Sequence, residues 1–589
     1  MLSSAMRFHV GRASKRLSTP TMANLLFSTF LSSIILTAFA QTAKDWQNLN
    51  HTVGGRLFAG IPWAEPCFSS YNGKPVKPDQ AQCSFVQQNF FNSHLNRSQF
   101  FGAYDATNYE TCMATGDQCE LDWSNPQNPL AFRPPNDCKQ GSIPNFYIDV
   151  RGASDIVAAL KFVKSTGVRL VIKNTGHDFK GRSSAPGALA LWTHNMKSLV
   201  HTPNFVPKGC SMPPQSAVTY GAGSQFQEIY QFAHDNKLDL VGGSDQSVGA
   251  AGGWHQGGGH SPLSVTMGLG ADRALQYTVV TTDGVLRTAN ACQNSDLFWA
   301  LRGGGGGTFG VVLDITVQAS PASSYRVANI NWPVNQANLR QALGLYLENA
   351  TTFATQGWGG YVTPTEGNII LVTSKLNLKQ AQQSMQALIS LTTKLGGTSN
   401  VTEVPTFLDW FNGWVQGTEG DQDNIGLPIA MGSRIVPKAN HATAQGRAQI
   451  LEALLNAFNN TSFSQMCITA PISANRPDED TSVNPVWRTA LYHVILANTW
   501  FFNATLADRQ AAYATSSKAA NFLRDITPNA GAYHNEADVH EPNHEFSFWN
   551  SKYQRLLQIK NKYDPDHILD CWQCVGWKGA NSPQYKCYI

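Results

Sequence analysis

The chain has 589 residues, too many for one hydrophobic core, so two to four structural units are expected. Charged residues are only 14% of it, apolar residues 42%, and the net charge is +3. With no long basic run and no basic–aromatic interleaving, a nucleic-acid partner is excluded.

At the N-terminus Arg7, Arg12, Lys15 and Arg16 precede an apolar run from Leu25 to Ala40. Its end, Ala38-Phe39-Ala40, carries the small first and third residues of a signal-peptidase site. The run is shorter than the roughly 20 residues a membrane span needs. Residues 1–40 are therefore expected to be a signal peptide, leaving a secreted chain from near Gln41 with no membrane attachment after cleavage. A signal anchor and a start at Met22 are the alternatives. Sequons at Asn50, Asn96, Asn349, Asn400, Asn459, Asn460 and Asn503 predict N-glycans on some of them. Eleven cysteines, five of them between Cys67 and Cys138, predict disulfides with at least one thiol left over.

Residues 41–140 lack lasting periodicity and read as an irregular, disulfide-stapled lead-in. From Asn145 to Val150 the pattern is a strand, followed by a helix with Ser154 as N-cap and Ile156, Val157, Leu160 and Val163 on one face. Gly167 ends that helix and Val168–Ile172 is the next strand, completing a β-α-β unit. Its first loop, Arg151-Gly-Ala-Ser154, lacks G-x-G-x-x-G, so a Rossmann-type dinucleotide site is not expected. Glycines cluster later. Val241–His260 holds eight in twenty residues, including Gly249, Gly252 and Gly253, and its backbone amides suit a diphosphate. A flexible linker is the other reading of that stretch. Leu275–Val280 and Val285–Arg287 form a hairpin about Asp283-Gly284, and a helix from Ser295 leads to the strand Val311–Val317. Beyond residue 320, strands at 326–332, 359–363 and 369–375 alternate with amphipathic helices at 336–347, 378–395 and 444–458, an α+β pattern. A helix over 550–562 follows His540 and His544, whose intervening Pro542 breaks any helical metal spacing. Cys571-x-x-Cys574 is expected to be a disulfide.

Three blocks carry a family resemblance: Asn174-Thr-Gly-His-Asp-Phe179, Leu297–Val312 with its five-glycine run, and Tyr533-His-Asn-Glu-Ala-Asp538 followed by Tyr563-Asp-Pro565. In this order they resemble the vanillyl-alcohol-oxidase/PCMH flavoproteins, in the berberine-bridge-enzyme-like branch. The block around His177 with Leu191-Trp-Thr-His-Asn195 is most similar to secreted fungal isoamyl-alcohol-oxidase-like members. The resemblance implies an α+β chain with a PCMH-type FAD-binding domain over 141–320. It is completed by a C-terminal segment over 526–589, with a substrate domain containing an antiparallel sheet inserted over 321–525.

It also implies FAD held by Lys173, Asn174, Thr175, Gly176 and Asp178 of the first turn, and by Val248, Gly249, Gly252 and Gly253 of the glycine block. Gly310, Val312 and Asn535 complete the implied contacts. His177 matches the histidine that such proteins join to the flavin; an ordinary turn histidine is the alternative. The second, cysteinyl link of many relatives has no counterpart, because no cysteine lies between Cys210 and Cys292. A single covalent link is expected, and no metal.

Plant-type relatives place a catalytic tyrosine where this chain has Glu536. A carboxylate near pKa ~4.3 facing a hydroxyl near ~15.7 leaves about 15 kcal/mol for full prior deprotonation. Glu536 therefore serves only if proton and hydride leave together or burial raises its pKa. Tyr533 is the second candidate, and a structural role for Glu536 stays open. His255 and His260 flank a triple glycine as core or pocket residues. The implied function is oxidation of an alcohol, sugar or phenolic substrate to a carbonyl, with O2 reduced to H2O2. Oxidative tailoring of a secondary metabolite, or a catalytically silent secreted flavoprotein, are the alternatives.

Overall fold

Three sheets position the site. The structure, a computed structural model, describes residues 42–415, 424–474 and 477–589, so the expected signal peptide lies outside the described residues. Residues 47–589 form one compact unit.

The first sheet contains the predicted β-α-β unit. Strands Phe146–Asp149 and Leu170–Lys173 both run parallel to Leu189–Trp192, which lies between them. The helix Ala153–Thr166 starts one residue before the expected cap: Gly152 is the N-cap, with no side-chain bond from Ser154. Asp155 explains the shift, since its carboxylate accepts the Arg151 N–H at 2.8 Å and holds the entering loop. The lead-in also enters this sheet, through Leu57–Ala59 paired antiparallel to Phe146–Ile148. The second sheet is antiparallel and includes the hairpin Ala274–Val280/Leu286–Asn290 and the strand Val311–Gln318.

The third sheet has seven antiparallel strands between Tyr325 and Asn498. Alternation along Ala490–Asn498 divides its two faces. Tyr492, Val494 and Leu496 pack into a core shared with the helices Gln336–Thr355, Ala444–Phe458 and Leu506–Ile526. Burying each such side chain contributes about 1.5–3 kcal/mol. His493 and Ile495 face the other way, toward the second sheet and the glycine block. The helix at 336 runs past Leu347 to Thr355 because Ala350, Phe353 and Ala354 continue its buried stripe.

Five disulfides form: Cys67–Cys83, Cys119–Cys138, Cys112–Cys587, Cys210–Cys292 and Cys571–Cys574. Buried Cys467 is the thiol left over. Cys112–Cys587 ties the lead-in to the chain's last residues.

Candidate active site

The turn after Lys173 opens into a cavity of ≈ 720 Å³ between the glycine block, the C-terminal segment and the third sheet. Gly176 sits there at φ +102°, a conformation favouring glycine. The next residue, His177, is held by a polar cluster. Its Nε2 hydrogen-bonds Ser247 Oγ at 2.7 Å, and its Nδ1 lies 3.4 Å from Asp105 Oδ1. Asp245 stands behind Ser247, accepting the Ser247 Oγ–H at 2.8 Å and facing His94 Nδ1 at 2.5 Å. Burial lowers the pKa of His177, with Asp245 opposing, so the imidazole is neutral at neutral pH. Burial alone would raise Asp245; His177, His94 and the Ser247 N–H outweigh it and hold the carboxyl below its usual range.

The glycine block folds as a π-helical turn, Ala250–Trp254, continued by one α-turn, His255–Gly257, and is no linker. Close packing on the first turn explains two of its glycines. A Cβ on Gly249 would stand 2.1 Å from Asn174 Oδ1, and one on Gly252 2.4 Å from Asn174 Nδ2. Gly253 has open space where a Cβ would be.

Lys173 is fully buried beneath the turn and donates to the carbonyls of Phe100, Phe101 and Ala103 at 3.2, 2.8 and 2.7 Å. Burial lowers its pKa to about 7, with Glu110 opposing. It does not line the cavity. Neither do Gly310 and Val312: a Cβ on Gly310 would meet Val279 Cγ2 at 2.6 Å, and Val312 is buried in the core beside the second sheet. Gly306 and Gly307 are the cavity-lining residues of that run. The remaining expected cofactor contacts, from Asn174 to Asp178, Val248 to Gly253 and Asn535, do line it. Asp178 accepts from Arg182 Nε at 2.7 Å, and Arg182 reaches Asn535 Oδ1 at 3.2 Å, tying the first turn to the C-terminal segment.

A second cluster lies around Glu536. His260 Nε2 is 3.1 and 3.0 Å from its two carboxylate oxygens, and His493 Nδ1 is 3.5 Å from Oε2. His255, by contrast, is a core residue bonded to the Tyr220 hydroxyl. Tyr533 is buried, and its hydroxyl accepts from Gly259 N–H at 3.1 Å and Asn535 Nδ2 at 2.8 Å. Burial, then the Glu536 charge, push its pKa up, so it stays a phenol. Sequence reasoning missed Asp105, Asp245, Ser247 and His493. The one available signal was a lone histidine inside the apolar strand Leu491–Ala497.

Residues 144–290 match the family model described as "FAD binding domain", and 532–575 match "Berberine and berberine like". The FAD-linked oxidoreductase ffsJ of Aspergillus flavipes is 38% identical, over 92% of this chain and 94% of that one. The chain belongs to the berberine-like branch of the vanillyl-alcohol-oxidase/PCMH flavoproteins. The FAD-linked oxidoreductase cheF of Chaetomium globosum is 35% identical over 93% and 88% of the two chains. Among solved structures, the VAO-type flavoprotein MtVAO615 of Myceliophthora thermophila C1 superposes with TM-score 0.80 at 28% identity, over 92% of this chain and 96% of that one. The glucooligosaccharide oxidase of Acremonium strictum shares the fold, with TM-score 0.61 at 20% identity over 74% and 92% of the chains.

The chain is thus an FAD-dependent oxidoreductase, and its own residues fit that cofactor. Asn174 Oδ1 is buried with no hydrogen-bond partner among the described residues, at the contact between turn and glycine block. Gly252, Gly253, Gly306 and Gly307 leave backbone exposed to the cavity, a neutral cradle suited to a diphosphate. The first-turn amides of the 250–257 helical segment lack intrahelical acceptors.

Proposed function

We propose that the protein is a secreted oxidase that binds FAD through one covalent bond from His177 and converts an alcohol, sugar or phenolic substrate to a carbonyl. Bound in this cavity, the flavin would supply the hydride acceptor, with O2 as the final electron acceptor giving hydrogen peroxide. The observation that carries this reading is the Glu536–His260 pair, a carboxylate–imidazole couple in the same cavity as His177.

The protein residues divide the work. His177, kept neutral by burial, has the nucleophilic lone pair that attachment requires. Glu536 takes the substrate hydroxyl proton as the hydride leaves, which removes the need for a full alkoxide. His260 orients the carboxylate through both oxygens. Tyr533, holding Gly259 and Asn535, shapes the wall and remains protonated. Met431, Ile495 and Ala497 give the third-sheet wall an apolar surface, with Gln465 as a polar handle for the substrate body. Five disulfides and the sequons support an oxidising, glycosylating route out of the cell.

A peroxide-release screen across primary alcohols, oligosaccharides and phenolic compounds tests the proposal. One peroxide per carbonyl is the expected result. A substrate that bleaches the flavin anaerobically but yields no peroxide in air would make the protein a dehydrogenase.

A further inference from the structure

His260, His493 and Glu536 come from three separated segments, and their donor atoms lie within 4.8 Å of one another. His260 Nε2 is 3.0 Å and His493 Nδ1 3.5 Å from the same oxygen, Glu536 Oε2. Two imidazoles and a carboxylate are a ligand set for a divalent transition metal. Around a tetrahedral zinc with bonds of about 2.0–2.1 Å, neighbouring donors stand about 3.3–3.4 Å apart. The two separations bracket that edge.

A second observation points to a missing ligand. His493 is 0% exposed, and neither of its ring nitrogens has a hydrogen-bond partner among the described residues. His260 Nδ1 is in the same condition. A buried polar group left so is costly, and native structures rarely tolerate it without a ligand, ion or water. His493 is also fixed in place: its ring packs edge-on against His260, Trp487 and Tyr533 at centroid distances of 5.4, 5.9 and 5.8 Å.

The Asp105–His177–Asp245 group has similar donors, but two of its three members are bonded to residues outside the group. His177 is bonded to Ser247, and Asp245 faces His94.

We propose that His260, His493 and Glu536 form a zinc-class divalent-metal site whose fourth position opens to the cavity, and that the bound metal inhibits turnover. His260 and Glu536 line the cavity, so water or a substrate oxygen completes the coordination. A metal on Glu536 removes the carboxylate from proton transfer. This inhibitory half rests on the role proposed for Glu536; the binding half does not.

The flavin-loaded protein, stripped with a chelator, is titrated with zinc chloride by calorimetry, and bound zinc is counted by elemental mass spectrometry. One zinc per chain is expected. Loss of an outer-sphere partner alone weakens metal sites by about 10–100-fold, so His493→Ala and Glu536→Gln should each weaken binding more than about tenfold. His260→Gln reads the same ligand set if His493→Ala does not fold. Absence of saturable binding, or binding unchanged in the variants, overturns the site. Peroxide release should fall along the same titration and return with EDTA. Stoichiometric zinc without inhibition overturns the inhibitory half alone and counts against Glu536 as proton acceptor.

Discussion

The cavity joins two polar clusters built on different plans. Around His177, the imidazole is enclosed by polar partners: Nε2 bonds Ser247, Asp245 backs Ser247 and faces His94, Asp105 Oδ1 stands 3.4 Å from Nδ1, and buried Lys173 is held by three carbonyls below. Around Glu536, two histidines contribute three ring nitrogens with no hydrogen-bond partner among the described residues. The first arrangement suits a group that must stay in one place; the second leaves capacity for a proton, a substrate hydroxyl or an ion. The His177 imidazole and the Glu536 histidines thus differ in how far their ring nitrogens are hydrogen-bonded.

Substitutions at each cluster sharpen that contrast. Glu536→Gln keeps the shape and removes the proposed proton acceptor, so kcat should fall about 10²–10⁴-fold with the flavin still bound. Steady-state kinetics beside a flavin spectrum would read this, and a loss of flavin instead of kcat would erase the distinction between the clusters.

The charged bed under the His177 turn gives a smaller, pH-dependent effect. Glu120 is buried and bonded to Thr107 at 3.1 Å and to Thr111. Burial, reinforced by Glu110, raises its pKa to about 8. Because the folded pKa exceeds the unfolded one, its stabilising contribution is full below about pH 4.5 and is lost as pH rises to about 8. The slope is about 1.4 kcal/mol per pH unit. Glu120→Gln should therefore flatten the dependence of Tm on pH between 5 and 8. Melting curves parallel to the native ones would refute the assignment.

Tyr533→Phe is the mildest change. It removes one acceptor from Gly259 and Asn535, costing about 1–3 kcal/mol of stability, with kcat reduced less than about tenfold. A loss as large as that of Glu536→Gln would move the proton acceptor to Tyr533.

The two clusters were also unequally legible in the sequence. The His177 turn, its glycine partners and the strands about them follow from local pattern: an apolar run, a glycine at positive φ, small residues where backbones touch. Helix starts were nearly as readable, and the shift from Ser154 to Gly152 came from a single carboxylate contact by Asp155. The family resemblance implied Gly310 and Val312 as cofactor contacts, but the strand begins at Val311 and the two pack within the second sheet and its core, off the cavity lining. The Glu536 cluster depends on residues 260, 493 and 536 meeting across sheets, and no local period encodes that. The lead-in was illegible for a related reason. Its contributions, Asp105, His94 and the carbonyls around Lys173, act through long-range contacts and backbone atoms that carry no sequence signal.

The central claim is that His177 alone joins the flavin to the chain. Intact-mass analysis and ultraviolet fluorescence of the acid-treated denaturing-gel band test it most directly, comparing the native protein with His177→Ala. The account predicts one FAD per native chain surviving denaturation, none in the variant, and a variant that still folds. Flavin retained covalently by His177→Ala would contradict it.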